Sequence, residues 1–363
     1  MFKNQVRVLS VIIGTMIGAG FASGKELYLF FGQYGPIGII GTFLSCFLTS
    51  FIIDRTFLIL YQNSISSYED FLKYLLGGLA KYPLFFLVIK NIISLFLLVS
   101  FFIMVAGFGA YFAQELSLSP IIGSLFLVLL CLFIFSRDVS GIVKVNTLLI
   151  PLFILFVLFL GAENIPFLST LPSWPIISSS GLWWLDAILY SSYNSILLIP
   201  ILVTLTPYLT NKKQIHMIAF SAFGIFFLLS LILLGLLLRV SLPILQIEIP
   251  VLFAIKDFGN FQNLLYGIMI LIAILTSAIS AGYSFLQNFS FQHRRSYQIL
   301  SFAICTISLF TSSIGFSELM ELLYPIFGYL GIVQICLILL KKRHKTDIKR
   351  REKIEKLGVK LCR

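Results

Sequence analysis

Three short runs in this sequence carry residue types able to hold an ion or a small polar solute in apolar surroundings. The first is Gly14-Thr15-Met16-Ile17-Gly18-Ala19-Gly20, followed by Phe21 and by the Lys25–Glu26 pair. Glycines at that density make a helix easy to unwind. Unwinding frees carbonyls, which coordinate cations, and amides at a half-helix N-terminus, which bind carboxylates. The second run is Tyr190-Ser191-Ser192-Tyr193-Asn194-Ser195, with Pro200 behind it. The third is a stripe of Ala273, Thr276, Ser277, Ser280, Ser284 and Gln287, whose spacing puts all six on one helix face. Thr276 and Ser277 would offer hydroxyls and Ala273 a carbonyl, oxygen donors suited to Na+, with the unwound first run completing the set.

Each run also has a plainer reading. Gly14-xxx-Gly18 is a small-xxx-small contact that lets helices pack closely. Single Ser and Thr residues in a helix bond back to the preceding turn. Glu26 is a gate partner, a proton carrier, or the structural partner of Lys25; a carboxylate inside a membrane is a functional candidate by default. Asp186 is read as a solvated charge at the outer mouth, and Lys90 and Lys144 as cations snorkelling to the cytoplasmic surface.

The elements carrying these runs must be membrane helices. Of 363 residues, 59% are hydrophobic and 11% charged, with mean hydropathy +1.01, against about 25% charged in soluble domains. Ten apolar stretches fall at 4–31, 35–60, 84–115, 119–136, 141–161, 181–208, 214–240, 263–292, 296–314 and 317–340. Each is near the roughly 20 residues that cross the hydrocarbon. An all-α polytopic membrane protein with ten transmembrane helices follows. Both termini then lie on one side. Loops on that side hold Arg55, Lys73, Lys81, Arg137, Lys212, Lys213, Arg294 and Arg295, so it is cytoplasmic.

The net charge of +11 is concentrated in residues 341–363, which hold eleven Lys/Arg and three acids. This basic tail is expected to meet anionic lipid or a cytoplasmic partner protein rather than nucleic acid. The five cysteines lack metal or disulfide spacing. No His/Cys/carboxylate cluster, nucleophile–base pair or phosphate-binding loop is evident, so neither an enzyme nor a cofactor is expected.

The ten spans divide as five plus five. Residues 1–161 form a first five-helix repeat, 162–180 an outer connecting loop, 181–340 a second repeat entering the membrane oppositely, and 341–363 the tail. Inverted repeats pair span 1 with span 6, and their polar centres fall at similar depth, so helices 1 and 6 are both predicted to be broken at mid-membrane. Ser66–Glu69 has capping-box spacing and opens an amphipathic helix at the inner surface. Residues 241–262 are either a partly buried lid or an ordered outer loop.

"IGTMIGAGFASGKE", followed by "FFGQYG", the central Tyr-x-x-Tyr-Asn of span 6 and the ten-span layout resemble the YkvI-type bacterial membrane proteins, themselves similar to the LeuT-fold transporters. The resemblance implies a multi-pass protein of the bacterial cell membrane. By the sodium symporters of that fold, the carbonyls of Gly14 and Ile17 would face Na+ together with Ala273, Thr276 and Ser277. The amides of Ala19, Gly20 and Phe21 would meet a substrate carboxylate, with Tyr190, Ser191, Tyr193 and Asn194 on the opposite wall. Lys25 departs from that pattern, standing where a neutral amide is expected. The function implied is Na+-coupled transport of a small zwitterion such as an amino acid. The alternatives are proton coupling through Glu26, or a non-transporting ligand sensor like germinant-receptor subunits.

Overall fold

In lipid an apolar segment can satisfy its backbone only internally, as a helix or within a closed barrel, and every long element among the described residues is a helix. A computed structural model describes residues 2–136, 140–163, 181–238, 247–289 and 293–341. Side chains at 2–3, 79–80, 85 and 140–149 lie outside that description, as do the 164–180 connection and the tail beyond Lys341. The first apolar stretch is divided into α1 (Phe2–Met16), α2 (Ala19–Ser23) and α3 (Lys25–Phe30). There follow α4 (Pro36–Asn63), the short α5 (Tyr68–Leu76), α6 (Pro83–Leu116), α7 (Pro120–Phe135) and α8 (Ser140–Glu163). The second half comprises α9 (Trp183–Leu205), α10 (Lys212–Leu237), the short α11 (Pro250–Ala254), α12 (Asn260–Gln287), α13 (Arg294–Thr311) and α14 (Phe316–Leu340).

Seven of the described helices are each long and apolar enough to cross a membrane. The divided first stretch, α7 and α8 account for the other three expected spans. α7 is the shortest, 16 residues or about 24 Å of rise.

The helices begin and end where local chemistry dictates. Pro36, Pro83 and Pro120 open α4, α6 and α7, where a missing N–H costs nothing. Asn211 caps α10 by accepting from the Gln214 amide at 2.8 Å. The short amphipathic helix is present as α5, capped one residue later than its sequence spacing suggests: the Ser67 hydroxyl accepts from the Asp70 amide at 3.1 Å. Lys341, just past α14, donates to the carbonyls of Tyr74 and Leu75 near the end of α5. The guanidinium of Arg55 donates to the Lys341 carbonyl at 3.4 Å, and Arg7 lies over the Tyr208 ring at 4.6 Å. The start of α1, the end of α4, α5 and the end of α14 therefore share one face.

The sixth span differs from expectation. α9 runs unbroken through Tyr190–Ser195. Its polar side chains turn back onto its own ladder: Asn194 Nδ2 donates to the Tyr190 carbonyl at 2.9 Å and the Ser195 hydroxyl to the Ser192 carbonyl at 2.6 Å. They satisfy the backbone rather than open it. The perturbation lies one turn on, at Pro200, which has no N–H for the Ile196 carbonyl. α9 is wedged between α4 and α14. α14 approaches so closely that a Cβ at Gly331 would lie 2.2 Å from the Ser192 carbonyl oxygen, a small-residue contact of the kind that holds membrane helices together.

Candidate functional site

The break in the first span is double. The Ile17 amide still donates to Ile13 at 2.8 Å, and the next ladder bond runs from the Ala22 amide to Gly18 at 2.9 Å. Between them the amides of Ala19, Gly20 and Phe21 have no hydrogen-bond partner among the described residues. The second break is at Gly24, whose φ of +82° is a left-handed conformation natural to glycine. A side chain there would also collide with Val251, since a Cβ would sit 2.5 Å from its Cγ2. Side chains cover some of the freed backbone: the Ser23 hydroxyl donates to the Gly20 carbonyl at 3.0 Å, and the Tyr266 hydroxyl to the Ala22 carbonyl at 2.8 Å.

After this second break, α3 sends two charges in opposite directions. Lys25 is fully buried; its Nζ lies 3.6 Å from Glu321 Oε1 on α14 and donates to the Ile247 carbonyl at 3.3 Å. Glu26, 2% exposed, folds back beneath α2. It lies so close to Gly20 that a Cβ on that residue would be 2.0 Å from Glu26 Oε1. Tyr190, Tyr193 and Tyr324 face its carboxyl, and Tyr193 stacks on Tyr324 with centroids 4.7 Å apart. Glu26 Oε2 has no hydrogen-bond partner among the described residues.

Below this group lies a cavity of about 250 Å³. Gly18, Glu26, Tyr193 and Tyr324 form its blind end. Ser10 and Val11 of α1, Ile201 near the end of α9 and Ser284 near the end of α12 line its other end. It therefore extends toward the face that carries the N-terminus. The opposite side is sealed. Ile249, Val251 and Ile255, in and around α11, are buried. Gln114 exchanges two hydrogen bonds with the Ile249 backbone, at 2.9 and 3.1 Å. The Glu248 carboxylate accepts from the Ser317 amide and hydroxyl at 2.8 and 2.7 Å. Residues 247–255 of the 241–262 segment thus form a largely buried seal, whereas 256–261 are mostly exposed.

Of the residues singled out from sequence, Gly14, Gly18, Glu26, Tyr193, Asn194, Pro200, Ser277, Ser280 and Ser284 line this one cavity, as do Thr15 and Met16 of the first run. Several others sit behind its wall. Phe21 stacks on Phe226 at 4.7 Å, Ile17 and Ala19 are buried in the packing, and Gly20 is covered by Glu26. Tyr190 meets Phe30 and Phe31 edge-on, and the Ser191 hydroxyl accepts from Thr49 at 3.1 Å. The Thr276 hydroxyl donates to the Ala273 carbonyl at 3.1 Å, so that carbonyl is engaged. Asp186 is not a free vestibule charge: it is partly buried and accepts from the Tyr34 hydroxyl at 2.7 Å. The Lys144 side chain lies outside the described residues.

Sequence reasoning missed Tyr324 and the role of Lys25. The first carried one weak signal, a tyrosine directly before Pro325 in an otherwise apolar span. The second carried none, because its partner Glu321 lies on the last helix. Among the described residues, no group of three or more His, Cys, Asp or Glu is placed to hold a metal ion.

No family model matches the chain. It is 30% identical over 340 residues to YkvI of Bacillus subtilis, an uncharacterized membrane protein, spanning 92% of this chain and 94% of that one. It is 27% identical over 346 residues to YyaD, an uncharacterized protein of the same organism, spanning 93% and 97%. Among solved structures the fold is similar to MhsT, crystallised in complex with L-phenylalanine, with TM-score 0.59 and 17% identity over 94% of this chain and 90% of that one. It is also similar to a mutant of the manganese transporter of Eremococcus coleocola, with TM-score 0.51 and 12% identity over 93% and 78%. At these identities the structural likeness is one of fold, that of LeuT-type transporters.

Proposed function

The chain belongs to the YkvI family of membrane proteins, and from that premise we propose that it is a secondary active transporter of a small zwitterionic solute, an amino acid, coupled to Na+ by alternating access. The observation carrying this reading is the cavity at the broken first span, open toward one face and closed toward the other. A carrier needs a site reached from one side at a time, and unwound backbone is tolerated in a membrane where it lines such a site. The unpaired amides at the start of α2 suit a substrate carboxylate. Gly14 and Ser277 lie on the same cavity and would supply two of the oxygens for Na+. In the arrangement described, α1 packs on α8, α9 and α10, while α12 packs on α2, α6, α7 and α8. Closure of α1 against α12 would bring Ile17, Ala273 and Thr276 to the ion.

On this reading 1–161 and 181–340 are the two inverted repeats, and spans 1, 2, 6 and 7 rock against the rest. The N-terminal face is cytoplasmic, so the cavity opens inward. Lys25 and Glu321, with the 247–255 seal, close the outside. A second reading, proton coupling, is favoured by one observation: Glu26 reaches the cavity with an oxygen unpartnered.

The deciding experiment is uptake of labelled amino acids into proteoliposomes under a Na+ gradient, with K+ as control. Accumulation above equilibrium only under the Na+ gradient is expected, with Na+ activation weakened in Ser277→Ala and in Thr276→Ala. Accumulation driven equally by a proton gradient without Na+ would select the second reading. Saturable binding with no accumulation would reject transport and leave a sensor.

A further inference from the structure

Resting on the transporter reading of this same cavity, we infer that the Glu26 carboxylate, flanked by Tyr193 and Tyr324, is the receptor for an ammonium group, so that the cargo is an amine and its nitrogen is what the site selects. Glu26 is the one Asp, Glu, Lys, Arg or His on the cavity wall among the described residues. Its side chain is almost wholly buried at the cavity wall, and Oε2 has no hydrogen-bond partner among the described residues. A buried acceptor left unmatched carries an uncompensated desolvation penalty, larger when it is charged. A donor arriving with the cargo removes that penalty, so the affinity is concentrated at the nitrogen. The neighbouring cation does not fill this place, because Lys25 is directed to Glu321 and the Ile247 carbonyl.

The surroundings fit an ammonium further. The hydroxyls of Tyr193 and Tyr324 stand at the same carboxyl, and their oxygens are further acceptors for an ammonium there. Phe96, Leu97, Met104 and Leu197 continue the wall as apolar surface, so the rest of the cargo is small and apolar. In an α-amino acid the carboxylate carbon is two bonds from the nitrogen and would fall toward Gly18, at the start of α2. A carboxylate without an amine would instead face Glu26 alone, a like-charge contact that specificity can exploit as repulsion.

The test uses purified full-length protein and ligand-induced thermal stabilisation. The probes are L-phenylalanine, L-leucine and L-methionine, each beside its decarboxylated amine and its deaminated acid, in wild type, Glu26→Gln and Tyr324→Phe, in NaCl. The expected result is stabilisation of the wild type by at least one amino acid and its amine, and by none of the acids. Glu26→Gln should raise the half-saturating concentration tenfold or more while melting near the wild type without ligand, and Tyr324→Phe should raise it a few-fold. Stabilisation by the acids equal to that by the amino acids overturns the inference, as does undiminished binding by Glu26→Gln. Stabilisation by none of the nine probes overturns it too. The transport reading stands or falls separately, on uptake in proteoliposomes.

Discussion

Replacing Gly20 by alanine should unseat Glu26, and the size of the effect follows from three distances. A Cβ at Gly20 would lie 2.0 Å from Glu26 Oε1 and 2.5 Å from both Cδ and Cγ. Carbon contacts are most favourable near ~3.5–4.0 Å, so the glutamate must retreat by about 1 Å or more. Tyr190, Tyr193 and Tyr324 occupy the space on one side of it, so the retreat is into the cavity and away from their hydroxyls. Overpacking a filled site costs roughly 1–3 kcal/mol. At about 1.4 kcal/mol per tenfold, that is a factor of about 5 to 150 in the folding equilibrium. The assay is a double-mutant cycle on purified protein, comparing the unfolding of wild type, Gly20→Ala, Glu26→Ala and the double variant. With the glutamate side chain removed, Gly20→Ala should cost almost nothing, and the difference between backgrounds should recover the whole penalty. Equal costs in both backgrounds would refute the close approach. Gly18→Ala is the control on the same segment: its Cβ would meet nothing within 4 Å, and it should unfold with the wild type.

Gly331→Ala should be more damaging than Gly20→Ala, because the atom in the way, the Ser192 carbonyl oxygen at 2.2 Å, is backbone and cannot rotate aside. A loss of about 3 kcal/mol is expected, whereas Gly224→Ala, with open space around its Cβ, should leave the melting temperature unchanged. Tyr266→Phe removes the donor to the Ala22 carbonyl and should destabilise by about 1–3 kcal/mol through the orphaned oxygen; an unaltered melting temperature would contradict that tether. Lys25→Met should loosen the seal between α3, α14 and Ile247. A cysteine introduced at Ser317, in a background lacking Cys46, Cys131, Cys305, Cys336 and Cys362, should then react several-fold faster with an impermeant maleimide; no acceleration would show that Lys25 does not hold the seal.

Hydropathy made the spans legible because each apolar run has to be a helix in lipid. The glycine density at 14–24 made the break in the first span legible for a related reason: it is written in the backbone's own residues. The sixth span misled because Ser and Asn have two uses in apolar surroundings, and a sequence does not say which is taken. Asn194 and Ser195 bond to carbonyls of their own helix, and so the polar run stays helical. Gly14, Glu26, Tyr193, Asn194 and Ser277 could be gathered from their separate spans because each is anomalous in its own helix. Lys25 could not be interpreted alone, since its meaning is a contact with Glu321 and Ile247 that only the packing of the first and last spans creates. Thr276 illustrates the remaining difficulty: spacing puts it on the right helix face, but a 3.1 Å bond to Ala273 decides what its hydroxyl does.

The divergence of Lys25 and Glu26 has an electrical consequence. Lys25 has an opposite charge in Glu321, so the pair adds little net charge to whatever moves with it. Glu26 lies on a cavity wall that carries no cationic side chain among the described residues. A carrier holding a zwitterion and one Na+ would balance it, whereas the empty carrier would hold one uncompensated negative charge deep in the membrane. Each elementary charge carried through the whole field is worth about 2.3 kcal/mol per 100 mV, and Glu26 feels the fraction over which the field reshapes as the gates exchange. An inside-negative voltage would then act on the return of the empty carrier more than on the loaded step. Net uptake would rise with hyperpolarisation, while one-for-one exchange of cargo across the same membrane would hardly respond.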